Sequence, residues 1–182
     1  MLKTSENPPI GWPEDRPISD FIGPWWVAHT KSRNEKALAQ DFISKQISYF
    51  LPMSWKIQRK HGRKIRSLLP LFGGYVFFCG SENERIEALR TNRIANIIEV
   101  KDQRQLVDEL TRIEVALHKG APLEPHNYVK AGQRCRVKGG PLMGMEGIVI
   151  KTKATARLIL QIDILGQAAS MDIDIDTIEI ID

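Results

Sequence analysis

The feature that most limits the fold of this chain is a change of hydrophobic period near residue 120. Before it, short apolar runs alternate with helical segments, and the clearest helical face carries Leu106, Leu110, Ile113 and Leu117. After it, the sequence contains β-branched runs separated by Gly and Pro, with no helical period. The chain is therefore predicted to form two domains of different class.

The predicted domain boundaries follow this change. Residues 1–20 hold four prolines and are expected to form a flexible tail. Residues 21–118 are predicted to form an α+β domain, and the proline-containing residues 119–128 a stiff linker. Residues 129–182 are predicted to form a small closed barrel. Its five expected strands span 134–138, 147–151, 157–164, 168–173 and 177–181.

Two segments of the first domain have the sequence signature of a helix N-terminus. Ser32 is followed by Glu35, and Ser81 by Glu84, at the spacing of a capping box. Each box is predicted to start a helix by satisfying backbone donors that would otherwise lack partners.

Composition and charge exclude several classes of protein. No apolar run approaches the ~18 residues of a membrane-spanning helix. Cys79 and Cys135 lie far apart, with no zinc-binding spacing and no disulfide framework, so a reducing cytoplasmic setting is expected. The four histidines are scattered, and no nucleotide-binding glycine pattern occurs. We therefore expect no catalytic residues, no metal and no cofactor.

The net charge of +4 lies entirely in the first 128 residues, and much of it is in one short stretch. Six cations fall within eleven residues without an acid, and His61-Gly62 marks the tip of a predicted hairpin. Clustered positive charge favours phosphate contacts by releasing counterions, although a solvated hairpin is the alternative. The candidate nucleic-acid-binding residues, with two more from the first helix, are Arg33, Lys36, Lys56, Arg59, Lys60, His61, Arg63, Lys64 and Arg66.

Aromatic residues concentrate in two predicted strands of the first domain. Neighbouring strand residues point to opposite faces, so these rings can occupy both faces of a sheet. About half are expected to be core and half an exposed interface, with Phe72, beside a glycine turn, as the strongest interface candidate. The candidates are Trp25, Trp26, Phe72, Tyr75 and Phe77.

Two stretches resemble one known family. Trp25-Trp26-Val27-Ala28-His29-Thr30 and Pro70-Leu71-Phe72-Gly73-Gly74-Tyr75-Val76-Phe77 are similar to the N-terminal (NGN) domain of NusG and of its paralogue RfaH. Residues 132–149 look like a KOW motif, with Gly132, Val137, Gly140, Pro141, Gly144 and Gly147 at its characteristic positions. The chain departs from the family at Gly73, where a proline is usual, and at Leu142, where a phenylalanine is usual.

The resemblance implies a fold and a set of partners. It implies a four-stranded antiparallel sheet flanked by helices, followed by an SH3-like KOW barrel. The aromatic candidates would then bind the β′ clamp helices of bacterial RNA polymerase, and the basic hairpin would approach the non-template DNA strand. The KOW domain would bind either the termination factor Rho or a small-subunit ribosomal protein. The expected activity is control of elongation, antitermination or termination by a monomeric factor.

Two other functions remain open at this stage. The chain could be an RNA- or ribosome-binding KOW protein that does not act on polymerase, in which case RNA binding would survive deletion of residues 1–120. It could also be an enzyme with an active site that the sequence does not reveal, which a pocket with perturbed titratable groups would indicate.

Overall fold

The computed structural model describes residues 6–60, 62–151 and 155–181. The chain divides into two compact units, Met1–Arg104 and Gln105–Asp182. The boundary falls inside a helix, α3 (Gln103–His118), most of which belongs to the second unit. Among the described residues, no helix is long and apolar enough to cross a membrane.

The first unit contains seven strands and two α-helices ahead of α3 within its described residues. In chain order they are β1 (Gly11–Trp12), β2 (Trp25–Thr30), α1 (Glu35–Ser44), β3 (Ser48–Phe50), β4 (Met53–Lys60), β5 (Arg63–Pro70), β6 (Tyr75–Cys79), α2 (Glu82–Arg90) and β7 (Ile94–Glu99). The order β1-β3-β6-β2-β7 forms an antiparallel sheet, while β4 and β5 form a separate two-stranded ribbon.

The main sheet has five strands where four were expected. The additional strand is β1, which pairs Gly11 with Phe50 and Trp12 with Tyr49 at the edge of the sheet. Prolines flank this strand, and prolines are tolerated at sheet edges because an edge backbone leaves some N–H groups unused.

Residues 6–20 are therefore part of the fold, and the expectation of a flexible tail over residues 1–20 is wrong for this segment. Ile18 is fully buried, and the Tyr49 hydroxyl donates a hydrogen bond to the Pro9 carbonyl at 2.8 Å. The Leu51 N–H donates to the Ile10 carbonyl at 2.6 Å. The proline content did not indicate this order, because composition carries no information about a hydrogen-bond partner that is forty residues away in sequence.

Helices α1 and α2 belong to the core of the first unit. Ala28, Val76 and Phe78 from one face of the sheet join Leu38 and Phe42 of α1 in one buried cluster. The opposite face holds Val27 and Phe77, which are also buried. The central strands are thus apolar on both faces, unlike strands that alternate between core and solvent.

The two predicted capping boxes have different outcomes. At Ser81 the box is confirmed, because the Ser81 side chain accepts from the Asn83 N–H while the Glu84 carboxylate accepts from the Ser81 N–H. At Ser32 it is wrong, since α1 begins at Glu35 with Asn34 as its N-cap. The Glu35 carboxylate instead accepts a hydrogen bond from the Gly74 N–H at 2.6 Å.

The second unit consists of the Gln105–His118 part of α3 and an antiparallel sheet. The strands are β8 (Glu124–Asn127), β9 (Gln133–Val137), β10 (Glu146–Lys151), β11 (Ala156–Ile162), β12 (Gln167–Ile173) and β13 (Ile178–Ile180), in the spatial order β13-β9-β10-β11-β12-β8. The five strands predicted for this region are confirmed, and the closed SH3-like barrel stays a prediction.

The sixth strand, β8, comes from the segment predicted to be a linker. Glu124–Asn127 pairs with Gln167–Ser170 of β12, so part of residues 119–128 is sheet and the linker expectation is wrong there. Pro125 lacks an N–H donor, but β8 is at the end of the sheet order, where a proline is tolerated. On α3, Leu106, Leu110 and Ile113 are buried, as the helical period predicts.

Candidate functional site

Three of the five aromatic interface candidates are buried in the structure. Trp25 is 3%, Phe72 1% and Phe77 0% exposed. The Phe72 and Phe77 rings meet edge to face with centroids 6.2 Å apart, and Trp25 stacks on Phe21 at 5.7 Å. The expectation that Phe72 presents its ring at a surface is therefore wrong, because the glycine turn that follows it leaves the ring packed on Phe77.

The other two aromatic candidates are partly exposed and lie on different faces of the main sheet. Trp26 shares a face with Phe78, and its indole N–H donates to the Gly80 carbonyl at 3.0 Å. Tyr75 is opposite His29 on the other face, and the two rings stack with centroids 5.0 Å apart. His29 is exposed, so the His29–Tyr75 pair offers an aromatic surface to a partner.

The predicted basic hairpin is confirmed as the β4–β5 ribbon. Its register pairs Trp55 with Leu68, Ile57 with Arg66 and Arg59 with Lys64. Gly62 adopts a positive φ of 74° next to the turn. His61 and the side chain of Lys60 lie outside the described residues.

The described hairpin cations are exposed, and no ion pair joins them to a described carboxylate. Within the described part of the chain, none of the eight ion pairs includes a hairpin side chain. The exposed cations are Lys56, Arg59, Arg63, Lys64 and Arg66. Since no described carboxylate is paired with them, this ribbon presents concentrated positive charge to an anionic ligand.

The two basic candidates from the first helix have different environments. Arg33 is exposed and adopts a positive φ of 59°. The Lys36 ammonium donates to the Leu68 carbonyl and to Asn7 Oδ1, each at 2.6 Å, and burial lowers the pKa of this ammonium. Lys36 therefore ties α1 to the base of the hairpin, and its role in phosphate binding stays a prediction.

Sequence reasoning missed Trp55, which lies among the hairpin cations. Its side chain is 42% exposed, and the Arg66 guanidinium carbon is 4.2 Å from the centre of its ring. The alternation Trp55, Ile57, Arg59 along β4 was the available signal, because alternate strand residues share one face.

The KOW-like residues form the β9–β10 hairpin of the second unit. Val137 exchanges backbone hydrogen bonds with the connecting loop, donating to the Met145 carbonyl at 2.9 Å and accepting from the Gly144 N–H at 2.8 Å. Gly140 and Gly144 have φ of 77° and 86°, a region that favours glycine. A Cβ at Gly147 would lie 2.8 Å from the Ile159 carbonyl oxygen, so this glycine allows β10 and β11 to approach. The motif therefore shapes a tight loop.

Gly132 and Pro141 complete the KOW-like set. A Cβ at Gly132 would lie 2.3 Å from Ile148 Cγ2, so close approach requires glycine there. Pro141 follows Gly140 in the loop, and beyond it Met143 is 70% exposed. The loop thus presents an exposed thioether at its surface.

The remaining candidates for chemical reactivity are the cysteines and the potential metal ligands in the part of the chain that the structure describes. Among the described residues no cluster of three His, Cys, Asp or Glu side chains could hold a metal ion. Cys79 and Cys135 are unpaired and buried, and burial raises the pKa of the Cys79 thiol to about 12. That thiol is uncharged at neutral pH, and the thiolate is the nucleophilic form.

Comparison with known proteins identifies the family of this chain. Residues 23–114 match the family described as "Transcription termination factor nusG", which covers just over half of the 182 residues. This match defines the chain as a transcription factor. The chain belongs to the NusG family, as the resemblance of its two aromatic stretches predicts.

Two further comparisons add less. The crystal structure of the MjSpt4:Spt5 complex in conformation B shares 15% identity, covering 86% of this chain and 96% of that one with a TM-score of 0.25. At that score the likeness carries no argument. A comparison with curated proteins finds no match.

Proposed function

We propose that this chain is a bacterial factor that binds RNA polymerase and modulates elongation, antitermination or termination. One observation supports this most strongly: a domain of the NusG family carries a hairpin whose exposed cations have no acidic partner among the described residues. A polymerase-bound factor works next to nucleic acid, where such charge is useful. We further propose that it acts in the cytoplasm as a monomer and catalyses no reaction.

The proposed polymerase contact is the exposed aromatic surface at His29 and Tyr75. The partner surface would be the β′ clamp helices. Stacking holds both rings in place, which lowers the entropic cost of binding. The buried Phe72 would support this surface from within the core.

The proposed nucleic-acid contact is the hairpin, with the non-template DNA strand as its ligand. Arg33 would add a further cation from the start of α1. Phosphate contacts from these groups would strengthen binding without reading sequence.

The second unit is proposed to bind a second protein, either Rho or a small-subunit ribosomal protein. The KOW-like loop with its exposed Met143 supports this, since methionine adapts to varied partner surfaces.

The first test is co-elution of the purified chain with core RNA polymerase. We expect the wild type to bind and Tyr75→Ala to weaken binding by about 30-fold or more, because truncated aromatic hot spots cost about 2 kcal/mol or more. Ile86→Ala on α2, also at an exposed position, should bind as the wild type does. Phe72→Ala would be informative only where circular dichroism shows that it is folded.

The outcome also separates the alternative. If the wild type does not bind polymerase but binds ribosomes or RNA, and residues 121–182 alone retain that binding, the chain is an RNA- or ribosome-binding protein and the polymerase proposal is rejected.

A further inference from the structure

The direction of the β4–β5 hairpin depends on the contacts at its base. Within the described chain, β4 and β5 pair only with each other and do not join the five-stranded sheet. A two-stranded ribbon by itself is marginally stable in water, so neighbouring elements must hold it. Met53 is 1% exposed and Leu68 packs against the core cluster, whereas Ile57, further along β4, is 66% exposed. The outer part of the ribbon therefore takes its direction from its base.

A charged hydrogen bond from α1 is one of these contacts. The Lys36 ammonium donates to the Leu68 carbonyl on β5 and to Asn7 Oδ1, each at 2.6 Å. Phe42 of α1 is fully buried, so the helix that carries Lys36 is fixed in the core. Hydrogen bonds from an ionised donor are about twice as strong as neutral ones. Lys36 thus links the base of the hairpin to a rigid element.

The second acceptor, Asn7, belongs to a segment that is itself anchored. On one side of Asn7, the Gln40 amide of α1 donates to the Glu6 carbonyl at 2.9 Å. On the other side, the Tyr49 hydroxyl donates to the Pro9 carbonyl at 2.8 Å. Asn7 is therefore a fixed acceptor, which restrains the ammonium beside the hairpin.

The residue before Lys36 holds the other end of the connection between the hairpin and the main sheet. Glu35 accepts a hydrogen bond from the Gly74 N–H at 2.6 Å, and Gly74 directly precedes Tyr75 of the proposed polymerase contact. The chain runs from the hairpin to the main sheet between Leu68 and Gly74. Adjacent side chains of α1 therefore hold both ends of this connection.

We propose that Lys36 is a positioning residue, whose ammonium fixes the direction of the hairpin relative to α1. The cations of the hairpin contact the ligand, and Lys36 acts on them through the Leu68 carbonyl. A site that is held in place before binding loses less entropy on binding. The inference rests on the proposed function and adds the residue that orients the hairpin.

The first test measures the direction of the hairpin in the full chain. Nitroxide labels on Lys64→Cys and Ser44→Cys, at exposed positions of β5 and α1, allow double electron–electron resonance to report the distance between them. Cys79 and Cys135 are buried and should remain unlabelled. Lys64 precedes Leu68 by four residues, or ~14 Å at ~3.4 Å per residue, so a swing of about 20° at the base would move its label by roughly 5 Å.

Lys36→Met keeps the length of the side chain and removes its donors. The distance distribution should be narrow in the wild type and broader by roughly 5 Å in Lys36→Met. Asn7→Ala should broaden it less, because the Leu68 carbonyl remains, and this variant serves if circular dichroism shows that Lys36→Met is unfolded. The matched control is Gln40→Met, which removes a hydrogen bond from α1 to the same N-terminal segment without touching the hairpin, and it should match the wild type.

The second test separates positioning from direct contact with phosphate. A free fluorescein-labelled 15-nucleotide single-stranded DNA can follow the hairpin, so Lys36→Met should keep the wild-type slope of log K against log salt in an anisotropy assay. A lost phosphate contact would instead lower this slope by about 0.7. In an elongation complex the polymerase holds the DNA in place, so Lys36→Met should lose the hairpin–DNA photocrosslinks that the wild type and Gln40→Met form.

Three results would overturn the inference. The first is an equally narrow distance distribution in Lys36→Met and Gln40→Met, since the hairpin would then keep its direction without the ammonium. The second is a salt slope lowered by about 0.7 in Lys36→Met, which would make Lys36 a phosphate ligand. The third is a full set of crosslinks in Lys36→Met. The distance measurement needs no polymerase, so it decides the role of Lys36 even if the wild type fails to co-elute with polymerase and the proposed function is rejected.

Discussion

Glu109 is a carboxylate that the second unit buries on the inner part of α3. Its Oε1 accepts from the Gln105 amide at 2.9 Å, and its Oε2 accepts from the Asp163 N–H at 3.2 Å. Burial raises the pKa of Glu109, and the negative charge of Asp163 adds to that rise. The hydrogen bond from Gln105 opposes it most, followed by the Asp163 N–H and the charge of Arg112. The Tyr128 hydroxyl donates to Asp163 Oδ1 at 3.0 Å, so the hydrogen-bond network extends to the residue that follows β8.

This carboxylate should make stability depend on pH. Because its pKa is higher in the folded than in the unfolded chain, its contribution is fully present below the unfolded pKa of about 4.3 and is lost as pH rises through the folded pKa. Urea unfolding of the wild type and Glu109→Gln should be measured from pH values above the folded pKa of Glu109 to values below its unfolded pKa. The free energy of unfolding of the wild type should rise relative to that of the variant as the pH falls. Parallel pH profiles of the two proteins would contradict the assignment.

Single residues also show where sequence reasoning reaches its limit. Lys36 has the charge of a phosphate ligand, but its partners, Asn7 and Leu68, are distant in sequence. Phe72 has the glycine neighbours of an exposed turn residue, but Phe77 covers its ring. Charge type and turn position were readable from the sequence. The hydrogen bond from Lys36 to a distant carbonyl, and the packing of Phe72 on a ring across the glycine turn, were not.

At the scale of elements, the sequence predicted a helix start or a hairpin correctly where all the interacting residues are close in sequence. The β4–β5 hairpin and the Ser81 capping box form as predicted, because each depends on residues within one turn or one ribbon. The Ser32 box fails because Glu35 accepts a hydrogen bond from the Gly74 N–H, which is 39 residues away in sequence. Strands β1 and β8 were missed because prolines mask edge strands.

The two serines provide a matched test of capping. Ser81→Ala removes an acceptor for the Asn83 N–H and should lower the free energy of unfolding by about 1 kcal/mol. Ser32→Ala should change it by less than about 0.5 kcal/mol, because Ser32 does not cap α1. Chemical denaturation of both variants at one pH measures the difference. Equal losses would show that Ser32 contributes a cap after all.

At the scale of the whole molecule, the two units differ in composition and in charge. Within its described residues, the first unit has two α-helices, a five-stranded sheet and the basic two-stranded ribbon. The second unit is dominated by one six-stranded antiparallel sheet. All of the net positive charge precedes residue 129, which supports the proposed nucleic-acid contact of the basic hairpin in the first unit. The change of hydrophobic period predicted this division, although the boundary lies within α3 and not after it.

The extent of the first unit can be tested with two isoleucines that lie four residues apart. Ile18 is fully buried within the segment expected to be a tail, whereas Ile22 is 87% exposed. Ile18→Ala should lower the free energy of unfolding by about 2 to 5 kcal/mol, since it leaves a cavity in a packed core. Ile22→Ala should lower it by no more than about 0.5 kcal/mol. If denaturant unfolding gives the two variants the same midpoint, the segment before Phe21 does not contribute to the stability of the unit, and the domain begins where composition alone would place it.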